Sequence, residues 1–280
     1  MTSDTTQTQT QTQTQAQTQR QAQGRGQGQG QSAASRAEAD PERVRDLIAG
    51  ARVVLWGFDG PICRLFARQA AERVAAGLVG WLELRGLHGL PAESEREGPD
   101  PQTVLRAVDR RSPGSDLVAE LEKRLTQEEL RAAASAMPTA YADPLIRTWT
   151  AVGARLAVTT NRSPRAVRSY LAARGLLACF EPRVYGRTQD LALLKPDPHC
   201  VNRALDETGA APSAALSIGG TPADFEAARA AGVPFLGYAP HERKATLLRR
   251  AGAPVVLGSL EPVLRLLREQ PASYHRPGVR

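Results

Sequence analysis

Short apolar segments alternate with helical patterns through the second half of this 280-residue chain. Parallel strands need a crossover connection, which is usually a helix, and such crossovers are right-handed. The alternation therefore predicts an α/β fold with a doubly wound parallel sheet that is covered by helices on both faces. The predicted strands are 155–160, 183–185, 214–218 and 233–238, and the predicted helices are 164–174, 198–208 and 222–231.

An earlier apolar run, Val53 to Trp56, leads directly into Gly57, Phe58, Asp59, Gly60 and Pro61. An unbroken apolar run bounded by a Gly-Pro break is typical of a buried parallel strand that ends in a loop. Open α/β sheets place their ligands at the carboxyl ends of the strands. Asp59 is therefore predicted to lie at a functional site.

The sequence on either side of this strand predicts the domain organisation. Residues 1–37 alternate Thr with Gln and then Gln with Gly, a composition that predicts disorder. Asp40, Pro41 and Glu42 form a helix start. Helical patterns at 66–84 and 115–136, separated by a polar loop at 91–101, predict an all-helical insert. The predicted division is a tail at 1–37, an α/β core at 38–66 and 142–269, a helical insert at 67–141 and a C-terminal tail at 270–280.

Composition excludes several classes of protein. The chain has a net charge of +7 and three scattered cysteines, which indicate neither a disulfide framework nor a zinc site. No apolar run is long enough to cross a bilayer, and the N-terminus lacks the apolar core of a signal peptide. We therefore expect a cytoplasmic protein without a membrane partner, whose basic surface is a general solvated one rather than a nucleic-acid site. The sequence contains no signal for an oligomeric state.

Four segments, in order along the chain, resemble the motifs of the haloacid dehalogenase-like superfamily of phosphatases, in particular its phosphoglycolate-phosphatase-like group with a helical cap. The first segment is the apolar strand with Asp59 and Gly60, and the second is Thr160 with Asn161. The third is Lys195 before a proline, and the fourth runs from the strand at 216–218 through Asp224 to Gly232.

The resemblance implies a role for each matching residue. Asp59 would be the general acid and base and a magnesium ligand, and Asp224 would support the metal. Gly60, Thr160 and Asn161 would hold the phosphoryl group, and Lys195 would neutralise it. Taken alone, Thr160 could equally cap a helix or a loop. Lys195 is more unusual, because only Lys123, Lys195 and Lys244 are lysines among 36 basic residues.

Two departures from the family pattern fall on the carboxylates that the chemistry most requires. Gly57 stands where the family has its nucleophilic Asp, and Gly220 replaces an acid that binds magnesium. The loss of a nucleophile typically costs about 10⁴ to 10⁶ in rate. Magnesium binding is therefore predicted to be weak or absent, with two remaining carboxylates, Asp59 and Asp224, against the one cation Lys195.

Three hypotheses follow from these departures. The first is a catalytically impaired relative, a pseudoenzyme that keeps an anion pocket for a small phosphorylated metabolite. The second is a weak hydrolase in which water fills the space beside Gly57 and Asp59 acts as the base. The third is an interaction protein that works through its basic, disordered N-terminus.

Overall fold

The computed structural model describes residues 41–67, 71–89 and 100–269. The predicted disordered segment 1–37, the C-terminal tail 270–280 and most of the polar loop 91–101 lie outside these ranges. Eight strands form within them: β1 (Val53–Trp56), β2 (Cys63–Arg64), β3 (Met137–Pro138), β4 (Arg155–Thr159), β5 (Val184–Tyr185), β6 (Ala215–Gly219), β7 (Phe235–Tyr238) and β8 (Val256–Leu257).

Six of these strands form one parallel sheet in the order β5-β4-β1-β6-β7-β8. The predicted α/β fold with a doubly wound parallel sheet is confirmed. The helices of the described residues are α1 (Pro41–Ala49), α2 (Ala71–Glu83), α3 (Gln102–Arg111), α4 (Asp116–Ala133), α5 (Ala142–Ala151), α6 (Pro164–Ala173), α7 (Leu177–Phe180), α8 (His199–Thr208), α9 (Pro222–Ala230), α10 (Glu242–Ala251) and α11 (Glu261–Glu269).

Strand β1 lies at the centre of the sheet, between β4 and β6. All four of its residues are fully buried, because helices cover both faces. Val53 and Leu55 face the core cluster that includes α8, α9 and α10. On the opposite face Trp56 packs edge-on against Trp149 of α5, with 5.7 Å between ring centroids. This unbroken apolar character fixes the strand in the middle of the sheet, so that the chain leaves it at the sheet's carboxyl edge.

Helices α2, α3 and α4 form a separate bundle, here called the insert (residues 71–133), between β1 and β4. Its core is built from apolar residues of all three helices, and Leu191 and Leu194 from the loop after β5 join it. Among the described residues of the insert, every regular element is a helix. The insert therefore folds around its own apolar cluster and rests on the loop that carries Lys195.

Two helices of the insert differ in their bounds from the sequence-based expectation. The helix predicted at 66–84 begins at Ala71, and the helix predicted at 115–136 ends at Ala133. Both differences arise where the chain passes between the core and the insert, because Cys63–Arg64 pairs antiparallel with Met137–Pro138. Pro138 cannot continue a helix. This short ribbon was not predicted, since two residues are too few to show a period.

Two helices begin at the carboxyl edge of the sheet with a proline in their first turn. Pro164 opens α6 directly after β4, and Pro222 opens α9 directly after β6. Proline suits this place because its missing N–H would have no partner in the first turn. At α9 the side chains of Thr221 and Asp224 exchange hydrogen bonds with each other's backbone N–H in a capping box. The carboxyl edge is thus bordered by helix N-termini.

Among the helices of the described residues, none combines the length and the apolar composition that a bilayer crossing requires.

Candidate functional site

A cavity of about 600 Å³ lies at the carboxyl ends of the central strands. The loops after β1, β4 and β6 form its floor, and residues of α3 and α10 complete its walls. Open α/β sheets bind their ligands at this position. The structure brings together around it six of the residues considered from sequence: Gly57, Asp59, Thr160, Asn161, Lys195 and Asp224.

Gly57 and Gly220 lie on either side of the Pro61 ring. A Cβ atom at position 57 would lie 3.5 Å from Cγ of Pro61, and one at position 220 would lie 3.6 Å from its Cδ. Position 57 is the tighter of the two, because its Cβ would also lie 3.2 Å from the carbonyl oxygen of Ile218. Of these residues Gly57 lines the cavity, and neither glycine supplies a side-chain oxygen at the positions where the resemblance implies carboxylates.

Asp59 is the acidic residue nearest to the end of β1, and both of its oxygens already accept hydrogen bonds. Oδ1 accepts from the backbone N–H of Leu65 at 3.2 Å, and Oδ2 accepts from Nη2 of Arg162 at 2.8 Å. A third of the side chain is exposed toward the cavity. Asp59 is therefore held as one partner of an ion pair.

Arg162 is a residue of the candidate site that sequence reasoning missed. Its side chain is only 10% exposed and touches carboxylates from three parts of the chain. Besides Asp59, Nη1 donates to Oδ1 of Asp100 at 3.1 Å and lies 3.8 Å from Oε1 of Glu129. Burial alone would lower the pKa of Arg162, but the three carboxylates outweigh it and raise this pKa. Its position directly after Asn161 was the signal that could have identified it.

Lys195 is buried, and its ammonium group uses all three of its protons. Nζ donates to the carbonyl oxygen of Thr159 at 2.8 Å, to Oγ1 of Thr159 at 3.3 Å and to Oδ1 of Asp224 at 2.8 Å. Burial disfavours the charge on Lys195, but Asp224 outweighs that cost and raises the pKa of the lysine. Lys195 therefore supplies positive charge to the floor of the cavity without a free N–H group.

Both oxygens of the Asp224 carboxylate already accept hydrogen bonds. Oδ2 accepts from the backbone N–H groups of Gly220 and Thr221, each at 3.0 Å, while Oδ1 accepts from Lys195. Burial acts to raise the pKa of Asp224, yet Lys195 and these hydrogen bonds together lower it. A Cβ at Gly219 would lie only 2.4 Å from Cβ of Asp224, so the close approach of the carboxylate requires glycine there.

Thr160 and Asn161 connect the end of β4 to the Lys195 loop. Oγ1 of Thr160 accepts from the backbone N–H of Arg162 at 3.1 Å. The Asn161 side chain accepts from the backbone N–H of Lys195 at 2.8 Å and donates to its carbonyl oxygen at 3.1 Å. The side-chain groups are thus engaged within the protein.

Three backbone N–H groups at this edge have no partner within the described ranges. They are the N–H groups of Phe58, Asp59 and Asn161, and all three residues line the cavity. Phe58 is buried, and buried N–H groups without a partner are rare in folded proteins. Unpartnered N–H groups of residues that line a cavity are suited to an anion.

Gly60 shapes the turn after β1 and is not among the residues that line the cavity. It has a φ of 111°, a conformation that favours glycine. Its N–H donates to the carbonyl oxygen of Cys63, and its own carbonyl oxygen accepts from Oγ1 of Thr139. These contacts hold the turn against the β2–β3 ribbon.

Residues at the start of α3 lie over the cavity and contact the core loops. Nε2 of Gln102 donates to the carbonyl oxygen of Asn161 at 2.5 Å, and Nη2 of Arg106 donates to the carbonyl oxygen of Lys195 at 2.7 Å. Partial burial lowers the pKa of the Arg106 guanidinium. The insert therefore adds cationic and amide side chains to the cavity.

A buried ion pair joins the insert to the core beside the cavity. Arg187 follows β5, and its Nη2 donates to Oε2 of Glu129 of α4 at 2.9 Å, with both side chains fully buried. The same Oε2 accepts from the backbone N–H of Ser163 at 2.9 Å. Burial opposes the charge on Arg187, but Glu129 and Glu122 outweigh it and raise the pKa of Arg187.

Among the described residues, those that line the cavity include four cations and three carboxylates. This corrects the sequence-based balance, in which two carboxylates faced one lysine, because four further charged residues of the lining could not be placed from sequence alone. The charged lining residues are the carboxylates of Asp59, Asp100 and Asp224 and the cations of Arg106, Arg162, Lys195 and Lys244. Elsewhere in the described ranges, as here, no group of three or more His, Cys, Asp or Glu side chains is arranged to hold a metal ion.

Comparison with known proteins agrees with this architecture. The family model described as haloacid dehalogenase-like hydrolase matches residues 94–238, a range that includes Lys195, Gly220 and Asp224 and begins after β1. The phosphoglycolate phosphatase of Rhodospirillum rubrum is 40% identical over 103 residues, which are 37% of this chain and 41% of the relative. The chain thus matches less than half of that relative's length.

Solved structures share the fold at low sequence identity. A predicted phosphatase from Clostridium acetobutylicum superimposes with a TM-score of 0.57 at 15% identity, over 78% of this chain and 98% of its own. CbbY from Rhodobacter sphaeroides, solved in complex with phosphate, superimposes with a TM-score of 0.54 at 21% identity, over 75% of this chain and 94% of its own. The solved structures agree with this chain in fold, and the family model, which matches more than half of the chain, shows that the chain belongs to the haloacid dehalogenase-like hydrolase family.

Proposed function

We propose that this chain is a catalytically impaired member of its family that binds the phosphoryl group of a small phosphorylated metabolite. The observation that carries the proposal is Gly57, which leaves the end of β1 without a nucleophile while the cavity around it persists. The insert acts in this proposal as the cap that closes over the ligand. The phosphate in the structure of CbbY supports an anionic ligand by analogy.

The phosphoryl group is placed at the ends of β1 and β4. The unpartnered N–H groups of Phe58 and Asn161 are its proposed hydrogen-bond donors, beside Gly60 and Thr160 in their loops. Lys195 and Arg162, which line the same cavity, contribute positive charge near this position. A preformed cradle of backbone N–H groups with nearby cations favours phosphate over chloride because phosphate accepts several hydrogen bonds at once.

The donor set does not fit a magnesium ion. Magnesium prefers carboxylate and water oxygens in octahedral geometry. Here each oxygen of Asp59 and Asp224 already accepts a hydrogen bond, one oxygen of each carboxylate from a buried cation. Positions 57 and 220 offer no oxygen from a side chain. We therefore derive no catalytic step through a metal.

The test combines binding and turnover on the full chain. Inorganic phosphate should raise the melting temperature relative to chloride at matched ionic strength, because a ligand of the folded state stabilises it by mass action. A generic phosphomonoester should not be hydrolysed, with or without magnesium. Turnover within the usual enzymatic range of about 1 to 10³ s⁻¹ would refute the impairment, and the absence of any shift at millimolar phosphate would refute the pocket.

A further inference from the structure

A second cavity, here called the junction cavity, lies where the insert meets the loop after β5 and has a volume of about 670 Å³. Helices α3 and α4 and the turn between them form one side, and the loop at 189–192 forms the other. Pockets of about 300 to 1,000 Å³ hold small organic ligands. The described lining residues of this cavity and of the cavity at the ends of β1 and β4 do not overlap, so the two cavities are separate.

Part of the junction cavity is apolar. The apolar residues that line it are Pro113, Val118, Ala119, Leu191 and Ala192. Val118 and Leu191 are buried and belong to the apolar cluster of the insert. Because Val118 comes from α4 and Leu191 from the core loop, a ligand that contacts both would bridge the insert and the core. This side of the cavity is suited to an apolar group of a ligand.

The charged residues of the junction cavity are mostly acidic, in contrast to those of the first cavity. The charged residues among the described lining are the carboxylates of Asp109, Glu122 and Asp190 and the guanidinium of Arg110. Glu122 already forms an ion pair with Arg187, with 3.0 Å between Oε1 and Nε. Asp109 and Asp190 form no ion pair within the described residues. The uncompensated negative charge is therefore located at these two aspartates.

Each of the two aspartates has one oxygen that accepts no hydrogen bond within the described ranges. Oδ1 of Asp109 accepts from the N–H of Gly114 at 3.3 Å, and Oδ1 of Asp190 accepts from the N–H of Ala192 at 3.0 Å. These bonds hold the carboxylates at the turn and at the loop, and they leave Oδ2 of each for a ligand. An ionised carboxylate accepts hydrogen bonds and donates none, so a protonated amine is the complementary group.

We propose that the junction cavity binds a small organic cation, whose protonated amine meets Asp109 and Asp190 and whose apolar body meets Val118 and Leu191. A bare metal ion is a poorer match, because no group of three or more His, Cys, Asp or Glu side chains among the described residues is arranged to hold one. This site does not depend on the proposed function, since it lies in a different cavity and takes a ligand of the opposite charge.

The test uses two probes that differ in one group. Phenethylamine is protonated at neutral pH, and phenethyl alcohol has the same aromatic body with a neutral hydroxyl group. NMR titration of the full chain should find the amine bound at least about fivefold more tightly, because charge-assisted hydrogen bonds are about twice as strong as neutral ones. The amide resonances that shift should belong to α4, to the turn at 112–115 and to the loop at 189–192.

Variants then locate the preference. Asp109→Asn together with Asp190→Asn should bring the affinity ratio of the two probes close to one, while the amide oxygen of each Asn can still accept the backbone hydrogen bond. Ala119→Trp should abolish the binding of both probes, because Ala119 is exposed on α4 and a larger side chain there would occupy the cavity. Asp206→Asn is the matched control, since Asp206 is exposed on α8 outside the cavity, and it should leave both affinities unchanged.

Three outcomes would overturn this site. Equal affinities of the two probes for the unchanged chain would show that the cavity does not prefer a cation. A fivefold ratio that survives the double Asn variant, or binding that survives Ala119→Trp, would show that the amine binds elsewhere. Failure of both probes to shift any amide resonance at tens of millimolar would show that the cavity takes no ligand of this class. Phosphate binding at the first cavity is measured separately and is unaffected by any of these results.

Discussion

Arg162 binds Asp59 through a hydrogen bond of 2.8 Å between Nη2 and Oδ2, so the carboxylate at the end of β1 is neutralised from within the protein. The family pattern places the general acid and base at Asp59. Here the other oxygen, Oδ1, is also occupied, by the N–H of Leu65. A carboxylate held in this way is poorly placed to take a proton from water, which argues against the weak-hydrolase hypothesis.

Asp59→Asn should strengthen the binding of phosphate. The substitution removes a negative charge beside the proposed anion position and releases the Arg162 guanidinium. We expect about a tenfold gain in affinity, since one charge at several ångströms contributes on the order of 1 kcal/mol or more at a protein surface. Calorimetry with phosphate measures this affinity, and Asp46→Asn, at an exposed position of α1, is the matched control. Weaker binding in Asp59→Asn would assign the carboxylate a direct role with the ligand.

Lys195→Met should destabilise the fold strongly, because it leaves Asp224 buried without a cation. The side chains of Lys195 and Asp224 are 3% and 14% exposed. Removal of one partner of a buried ion pair typically costs about 3–5 kcal/mol. The double variant Lys195→Met with Asp224→Asn should recover most of that loss. Urea unfolding of the unchanged chain, the two single variants and the double variant measures the coupling energy between Lys195 and Asp224. Additive effects on the free energy of unfolding would show that the two residues do not stabilise the fold as a pair.

The same pair should make stability depend on pH at the acid end. The pKa of Asp224 is lowered in the folded protein, so its contribution is present above the ordinary Asp pKa of about 3.9 and is lost as pH falls through the folded value. Below about pH 4 the unchanged chain should therefore lose stability faster than Asp224→Asn, by up to about 1.4 kcal/mol per pH unit. Urea titrations between about pH 6 and pH 2 compare the slopes. If the free energy of unfolding of the two proteins showed the same dependence on pH, the assignment of this dependence to Asp224 would be wrong.

Glu129→Gln should weaken the attachment of the insert to the core. Glu129 accepts from Arg187 and from the N–H of Ser163, and both ionised side chains are fully buried. A neutral amide leaves the Arg187 charge partly uncompensated, at a cost of about 3–5 kcal/mol. Glu128→Gln is the neighbouring control, because Glu128 is partly exposed and pairs with Arg131 of the same helix. Hydrogen exchange should show faster opening of α4 in Glu129→Gln only.

Gly57→Asp together with Gly220→Asp should produce magnesium-dependent phosphatase activity, while either change alone should do little. Nucleophile and metal act as a unit, so their effects are not additive. Gly57→Asp should be the more destabilising single change, because its Cβ meets the carbonyl oxygen of Ile218 at 3.2 Å, whereas at position 220 the nearest atom is 3.5 Å away.

Alanine variants separate crowding from charge in this experiment. Gly57→Ala and Gly220→Ala add the same Cβ atoms without carboxylates, so they report the steric cost alone. A double Asp variant that binds magnesium but does not hydrolyse a generic phosphomonoester would show that the remainder of the cavity has diverged from catalysis. Colorimetric phosphate release and thermal unfolding with and without magnesium are the measurements.

The sequence was sufficient for the sheet because each strand is a short apolar run, and β1 in particular has no polar residue to make its burial ambiguous. The helix at Pro41–Ala49 was likewise predictable from its Asp-Pro-Glu start. The β2–β3 ribbon was missed because its pairing depends on residues more than seventy positions apart, which no local pattern reports.

The charged partners within the cavity were the less predictable part. Arg162, Asp100 and Glu129 come from three separate elements, and only the packing of the insert on the core brings them together. An arginine-rich composition also conceals the few arginines that are buried. The lysine at 195 could be identified from its motif, but its pairing with Asp224 required the tertiary structure.

The two adjacent glycines at the carboxyl end of β6, Gly219 and Gly220, differ in how freely they can be substituted. Gly219 is fixed by contact with Asp224, so any side chain there would displace the carboxylate. A Cβ at Gly220 meets only ordinary van der Waals contacts, so the fold itself does not require glycine at this position. Among relatives of this chain, position 219 should therefore stay invariant while position 220 varies. The space for a side chain at position 220 is open in this fold, so an acidic residue could be introduced there without rebuilding the backbone.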